Sequence, residues 1–233
     1  MPNVRDIKKE VKESLVYSQL LFRVNVNDIS PSDKDFQKKI GKTREVLVPQ
    51  LSLLLKKGYL KKEKPINVKG NKQFYYINWE KIISDFLEHL DSLIDTRYQE
   101  CLVIVKGTKN KEFNRNLKNH YKTLFIMKEN KELLRGLKKD LIKNDSLIYI
   151  FKNGFKNWSV MLDFYGEGSA LNLSHFFREF IISFSEFNNF KSVIEKKDEH
   201  DLTILSLLCD EVLINPVAYY SFFCETCPIY KKD

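Results

Sequence analysis

Two cysteines late in the sequence stand at the spacing of a metal or redox motif. Cys224 and Cys227 form a C-x-x-C pair, and Cys209 lies fifteen residues before it. Thiolates at this spacing can chelate zinc, with further ligands from Cys209 and from His200 or His175, or they can form a redox switch. There is no second C-x-x-C, and the preceding strand of a thioredoxin-like site is missing. We favour a structural or incidental pair with no metal and no cofactor, and zinc binding and redox switching stay open as alternatives.

Other residue types that support catalysis lack catalytic spacing. No histidine belongs to an H-E-x-x-H pair, since the four lie far apart at His89, His120, His175 and His200. The segment Gly166-Glu167-Gly168-Ser169 precedes a predicted helix and could hold an anion there. It lacks the Lys-Ser/Thr of a phosphate-binding loop, so we interpret it as an ordinary loop. The sequence therefore predicts a protein that is not an enzyme.

One group of aromatic residues allows two interpretations. Its members are Trp158, Phe164, Tyr165, Phe176, Phe177 and Phe180. They could line a pocket for a small-molecule effector. Aromatic residues at helical spacing more often form plain core, which is the interpretation we favour.

Composition limits the class of protein. The 233 residues are 43% hydrophobic, which is enough to form a core, and the four cysteines are too few for a disulfide scaffold. No apolar run reaches the roughly 18 residues of a membrane span, and the first residues lack the apolar stretch of a secretory signal. We expect a cytoplasmic protein that does not enter a membrane.

The positive charge is concentrated in the first third of the chain. Residues 1–80 contain 17 Lys/Arg and 9 Asp/Glu. By subtraction from the totals of 39 and 31, residues 81–233 hold 22 of each, so the whole net charge of +8 lies in the first segment. Because contacts to phosphates dominate affinity for nucleic acids, this excess predicts a polyanion partner. A lysine-rich solvated surface is the alternative.

Residues 30–77 show the pattern of two helices followed by a hairpin. Ser30-Pro31 is typical of a helix start, and Gly41 of a helix end. A second helix is predicted from Thr43 to Gly58, with Leu47, Leu51, Leu54 and Leu55 on one face. Two strands, 59–66 and 73–77, follow around a basic turn over residues 69–72.

This pattern resembles the winged helix-turn-helix transcription regulators of the MarR, ArsR and PadR kind. The resemblance rests on Leu47-x3-Leu51-x2-Leu54-x3-Gly58-Tyr59-Leu60 and on Tyr75-Tyr76-Ile77-Asn78. It implies that the second helix enters the major groove of double-stranded DNA and that the hairpin lies along the backbone or minor groove. Groove contacts are then expected from Lys42, Thr43, Arg44 and Gln50, and backbone contacts from Lys69, Asn71 and Lys72. Pro49 departs from the pattern: either the helix starts late, near Val46, or it is kinked.

The predicted fold is mainly α, with a winged helix over residues 1–80 and an all-α domain over residues 81–233. The winged helix would include a first helix over residues 4–22 and a short strand over residues 23–29. The second domain, of unassigned role, would hold several amphipathic helices, one of them over the stripe from Phe113 to Phe125. Breaks are predicted at residues 107–110 and at Asn153-Gly154. We expect a DNA-binding transcription regulator that forms a homodimer. Its interface is predicted on the helix Trp79 to Tyr98, and the late aromatic helices are the alternative. The apolar stripe of that helix consists of Ile82, Ile83, Phe86, Leu90, Leu93 and Ile94. A protein-interaction module is the alternative function.

Overall fold

The structure is a computed structural model that describes residues 30–63, 74–165, 173–185 and 194–218. It is mainly helical, as predicted. The helices are α1 Lys34–Ile40, α2 Arg44–Lys56, α3 Trp79–Gly107, α4 Lys111–His120, α5 Lys122–Glu129, α6 Lys131–Ile142, α7 Asp145–Tyr165, α8 Leu173–Ser185 and α9 Glu199–Leu213. The strands are β1 Leu60–Glu63 and β2 Phe74–Ile77. The helix predicted over residues 4–22 and the strand predicted over residues 23–29 lie outside the described residues.

Helix α1 begins later than the sequence predicted. The N-cap is Asp33, whose carboxylate accepts the backbone N–H groups of Asp35 at 2.8 Å and Phe36 at 3.2 Å. Ser30 and Pro31 belong to the preceding turn, in which the Asp33 N–H donates to the Ser30 carbonyl at 3.0 Å. The prediction of Ser30-Pro31 as the helix start was therefore wrong, because an aspartate three residues later satisfies the free N–H groups.

Two glycines end α1 and α2 in the same way, as predicted. Gly41 and Gly58 have φ values of 67° and 80°, in the left-handed region that glycine adopts without strain. After α1, the N–H of Lys42 donates to the Gln37 carbonyl. After α2, the N–H of Tyr59 donates to the Leu54 carbonyl. These six-residue closures are Schellman motifs, and each turns the chain sharply at a defined residue.

Pro49 lies inside α2 and not in its first turn. The helix begins at Arg44, so the late start near Val46 was wrong. Proline has no backbone N–H, so α2 lacks the helical hydrogen bond that residue 49 would otherwise donate to the Glu45 carbonyl. The helix continues to Lys56 because Leu47, Leu51 and Leu54 are buried on both sides of the proline.

The strands form a two-stranded antiparallel hairpin. Leu60 pairs with Ile77 and Glu63 with Phe74. At its base, the backbone N–H of Asn78 donates to the Tyr59 carbonyl and its side-chain amide donates to the Gly58 carbonyl, both at 2.8 Å. The hairpin therefore starts directly from the turn that ends α2. Residues 64–73, which include the predicted turn, lie outside the described residues.

Helix α3 buries the apolar stripe that was predicted as a dimer interface. Its buried residues are Ile82, Ile83, Phe86, Leu87, Leu90 and Ile94. These side chains are covered within one chain. The homodimer and its predicted interface on this helix stay predictions, and Leu93 of the predicted stripe is half-buried. Among the described residues, no helix has both the length and the apolar character needed to cross a membrane.

The later helices differ from the predicted pattern at two points. The stripe Phe113 to Phe125 was predicted as one helix, and it is divided at Tyr121 into α4 and α5. The break predicted at Asn153-Gly154 was wrong, because α7 runs through it. Burial of Phe151 and Phe155 on either side outweighs the roughly 1 kcal/mol that glycine costs in a helix.

The chain divides into two compact units that are discontinuous in sequence. The first consists of residues 1–83 and 148–177, and the second of residues 84–147 and 178–233. Residues 148–177 group with the first unit. The predicted domains, 1–80 and 81–233, stay a prediction. In the first unit, the rings of Phe155 and Phe176 lie 4.2 Å apart. In the second, Phe86 and Phe180 lie 5.2 Å apart.

Candidate nucleic-acid interface

The buried side of α2 fixes which residues face outward. Leu47 and Leu51 are fully buried, and Leu54 is 1% exposed. The helix packs against β1, where Leu60 is also buried. Residues four and three positions apart lie on one side of a helix, so the intervening positions are held toward solvent.

A basic surface surrounds this outward side. Between residues 42 and 62, the exposed charged side chains comprise six cations and one carboxylate. The cations are Lys42, Arg44, Lys56, Lys57, Lys61 and Lys62, and the carboxylate is Glu45. We call these six residues the α2 basic surface. Lys61 also pairs with Glu80 at 3.3 Å, where both side chains are about half exposed and the pair adds little stability.

Three of the four predicted groove residues are exposed together at the start of α2. Lys42 and Thr43 precede the helix, and Arg44 is its first residue. The Thr43 hydroxyl makes no capping bond to the helix. Hydrogen bonding by the backbone N–H of Glu45 and, to a lesser extent, by the Thr43 hydroxyl lowers the pKa of the Glu45 carboxyl group. Glu45 therefore stays ionised beside Arg44 and partly offsets the local positive charge.

Gln50 differs from the other predicted groove residues. Its side chain is half-buried, and within the described part of the chain its buried Oε1 has no hydrogen-bond partner. It lies at the edge of the outward side of α2, beside the buried leucines. The predicted wing residues Lys69, Asn71 and Lys72 lie outside the described residues.

The outward side of α2 also carries apolar side chains, which the sequence interpretation missed. Val46 is 43% exposed and Leu53 is 38% exposed, with Pro49 exposed between them. These positions are three and four residues apart, so they share one side of the helix. The sequence does contain a signal for this exposed stripe. It is the set of apolar residues of α2 that remain after Leu47, Leu51 and Leu54 are assigned to the core.

The thiols that the structure describes are buried. Cys101 and Cys209 are 0% exposed, and burial raises the pKa of both, that of Cys101 to about 12. Across the described ranges, no three His, Cys, Asp or Glu side chains group as metal ligands. Cys224 and Cys227 lie outside the described residues.

The aromatic group behaves as core where it is described. Trp158, Phe176 and Phe177 are buried, and the Phe176 ring lies 6.2 Å from that of Trp158 and 6.1 Å from that of Phe177. Phe180 is buried in the second unit. The side chains of Phe164 and Tyr165 are outside the described set.

Comparison of the chain with protein-family models, with curated proteins and with solved structures finds no match. We therefore infer the function from the chemistry of the residues around α2. They offer closely spaced cations and a rigid helix start, with little opposing negative charge.

Proposed function

We infer that residues 1–80 form a winged helix-turn-helix that binds duplex DNA, and that the chain is a cytoplasmic transcription regulator. The observation that carries this proposal is the α2 basic surface, which has six exposed cations against Glu45. A duplex carries one negative charge for about every 1.7 Å of its axis, so closely spaced cations gain free energy by releasing its counterions. The order of α1, a tight glycine turn, α2 and a hairpin supports the same proposal.

In this proposal, the start of α2 approaches the major groove. Lys42, Thr43 and Arg44 are placed to contact phosphates or base edges there, because they are exposed at the end of a helix whose other side is buried. Arginine is the residue type that most often contacts guanine in this groove. Lys69, Asn71 and Lys72 would hold the backbone from the hairpin, and Gln50 would contribute from the side of α2.

Specific reading of DNA by such a unit requires more than one copy. A single winged helix covers few base pairs, and regulators of this shape pair on half-sites about one helical turn apart. The proposal therefore includes a homodimer whose interface lies away from the buried stripe of α3.

A titration of the full chain with random-sequence duplex DNA tests this function. Anisotropy of a labelled duplex, measured between about 50 and 200 mM salt, gives the dependence of the binding constant on salt. We expect binding at low salt and a linear loss of affinity on logarithmic axes, with a slope of about −0.9 for each phosphate contacted. No detectable binding at the lowest salt would contradict the proposal.

A second candidate is a winged helix that binds protein. The observation in its favour is the exposed stripe of Val46, Pro49 and Leu53 on the outward side of α2. Apolar side chains that cluster on one surface are typical of protein interfaces. Serine at Val46 and Leu53 separates the two functions, because it removes the apolar surface and leaves all six cations in place. Duplex affinity within about twofold of the unmutated chain supports the DNA-binding function.

A further inference from the structure

A second concentration of positive charge lies in the part of the chain that is neutral as a whole. Residues 101–128 contain seven Lys/Arg and a single acidic residue, Glu112. Their charge is hidden in the total for residues 81–233 because acidic residues elsewhere balance it. Six of the seven cations are exposed, namely Lys106, Lys109, Lys111, Arg115, Lys118 and Lys122.

Helix α4 arranges three of these cations in one row. Lys111, Arg115 and Lys118 are spaced four and three residues apart and are all exposed. Such spacing puts side chains on the same side of a helix, here over about 10 Å of its length. The opposite side is fixed by Leu117, which is fully buried, and by Phe113, which is half-buried. We call these three residues the α4 basic stripe.

Several hydrogen bonds hold α4 in a defined position within the second unit. The Asn110 side chain caps it by accepting the Phe113 N–H at 3.0 Å. The Asn114 amide donates to the carbonyls of Val105 at 3.3 Å and Thr108 at 3.2 Å, which ties α4 to the end of α3. Just after α4, the buried Tyr121 hydroxyl donates to the Ile214 carbonyl at 3.0 Å. The stripe is thus presented by a rigid support, which lowers the entropy lost when it binds a partner.

We propose that the α4 basic stripe is a second nucleic-acid-binding surface, which contacts the phosphates of a duplex through Lys111, Arg115 and Lys118. Phosphates along one strand are spaced 3.4 Å along the axis, so a row of about 10 Å reaches about three of them. A membrane surface fits less well, because basic helices that bind membranes place large apolar residues beside their cations. No large apolar side chain of α4 is exposed. The surface lies in the second unit and is independent of the α2 basic surface.

Glutamine substitutions in the full chain test this surface. The first variant combines Lys111→Gln, Arg115→Gln and Lys118→Gln. Because the Lys118 ammonium lies 5.6 Å from the centre of the Phe125 ring, a second variant keeps Lys118 and changes the other two. The control combines Lys131→Gln, Lys139→Gln and Lys143→Gln, which removes the same charge from exposed positions around α6 in the same unit. Circular dichroism confirms that each variant keeps its helices.

The readout is the salt dependence of binding to random-sequence duplex DNA. We expect the slope to become shallower by about 2 to 3 in the first variant and by about 2 in the second, with the α6 control unchanged. An equal change in the α6 control would show an effect of net charge alone and would overturn the proposal. Binding to vesicles of anionic phospholipid, lost in the first variant, with no duplex binding by the unmutated chain would overturn it as well.

The same assay distinguishes this surface from the proposed function of α2. Lys42→Gln with Arg44→Gln is measured beside the α4 variants. A shallower slope only in the α4 variants supports the α4 surface and contradicts DNA binding by α2. A shallower slope only in the α2 variant overturns the α4 surface and leaves the proposed function intact.

Discussion

The Glu211 carboxylate on α9 accepts the backbone N–H of Leu124 at 2.6 Å, across 87 residues of sequence. Its other oxygen accepts the N–H of Thr123 at 2.9 Å. Both donors lie in the first turn of α5, where the backbone N–H groups have no acceptor within the helix itself. Glu211 thus caps α5 from a distant helix, and α5 can begin as a separate helix after Tyr121.

Removing this cap should destabilise the second unit. Glu211→Ala leaves the Leu124 N–H buried without an acceptor, and we expect the free energy of unfolding to fall by about 1 to 3 kcal/mol. Asp210→Ala is the matched control, because Asp210 is the exposed neighbour of Glu211 on α9. The control should change stability by no more than about 0.5 kcal/mol. Chemical denaturation followed by circular dichroism measures both, and equal effects would show that the cap contributes little.

Glu211 should also make stability depend on pH. Burial raises its pKa above the ordinary 4.5, against the opposing effects of the Leu124 and Thr123 N–H groups and of His120. The folded chain therefore holds this proton more tightly than the unfolded chain. By linkage, the stabilisation is fully present below pH 4.5 and is lost as pH rises through the raised pKa.

Glu211→Gln isolates this contribution because glutamine does not titrate. The unfolding free energy of the unmutated chain, minus that of the variant, should fall as pH is raised from 4.5. Denaturation at a series of pH values gives this difference. A difference that rises with pH would show that the two N–H groups outweigh burial and that the pKa is lowered.

The α3 stripe gives a prediction about the core and not about a dimer. Leu90 is 2% exposed and Leu93 is half-buried. Leu90→Ala should lower the free energy of unfolding by about 2 to 5 kcal/mol because it leaves a cavity, and Leu93→Ala should cost less. Neither variant should change the mass measured by sedimentation. If Leu90→Ala halved that mass while stability stayed unchanged, the interface predicted on α3 would be supported.

Local patterns predicted the elements whose cause lies within a few residues. The ends of α1 and α2 followed from Gly41 and Gly58, since a left-handed residue closes a helix by its own geometry. The break at Tyr121 depends on Glu211, which no window around residue 121 contains. Conversely, Gly154 lies in an unbroken helix because burial of Phe151 and Phe155 outweighs the low helix propensity of glycine.

The charge of the candidate site could be predicted from the sequence more fully than the identity of its exposed side chains. The excess of lysine and arginine in residues 1–80 was visible by counting. The exposed stripe of Val46, Pro49 and Leu53 required knowing which leucines of α2 are buried. The α4 basic stripe was missed because a count over residues 81–233 averages a basic segment with acidic ones.

Binding of duplex DNA by α2 should depend on Lys42 and Arg44. The variant Lys42→Gln with Arg44→Gln is compared with Lys152→Gln with Lys156→Gln, two exposed cations of α7 in the same unit. Cations near a helix N-terminus oppose the helix dipole, so the first variant should not lose stability, and a change in binding then reports on contacts.

The measurement is the slope of duplex affinity against salt for these two variants and the unmutated chain. If α2 binds duplex DNA, the slope should be shallower by about 2 for Lys42→Gln with Arg44→Gln and unchanged for the α7 control. Equal slopes in all three proteins, or an equal loss in both variants, would contradict binding of DNA by α2.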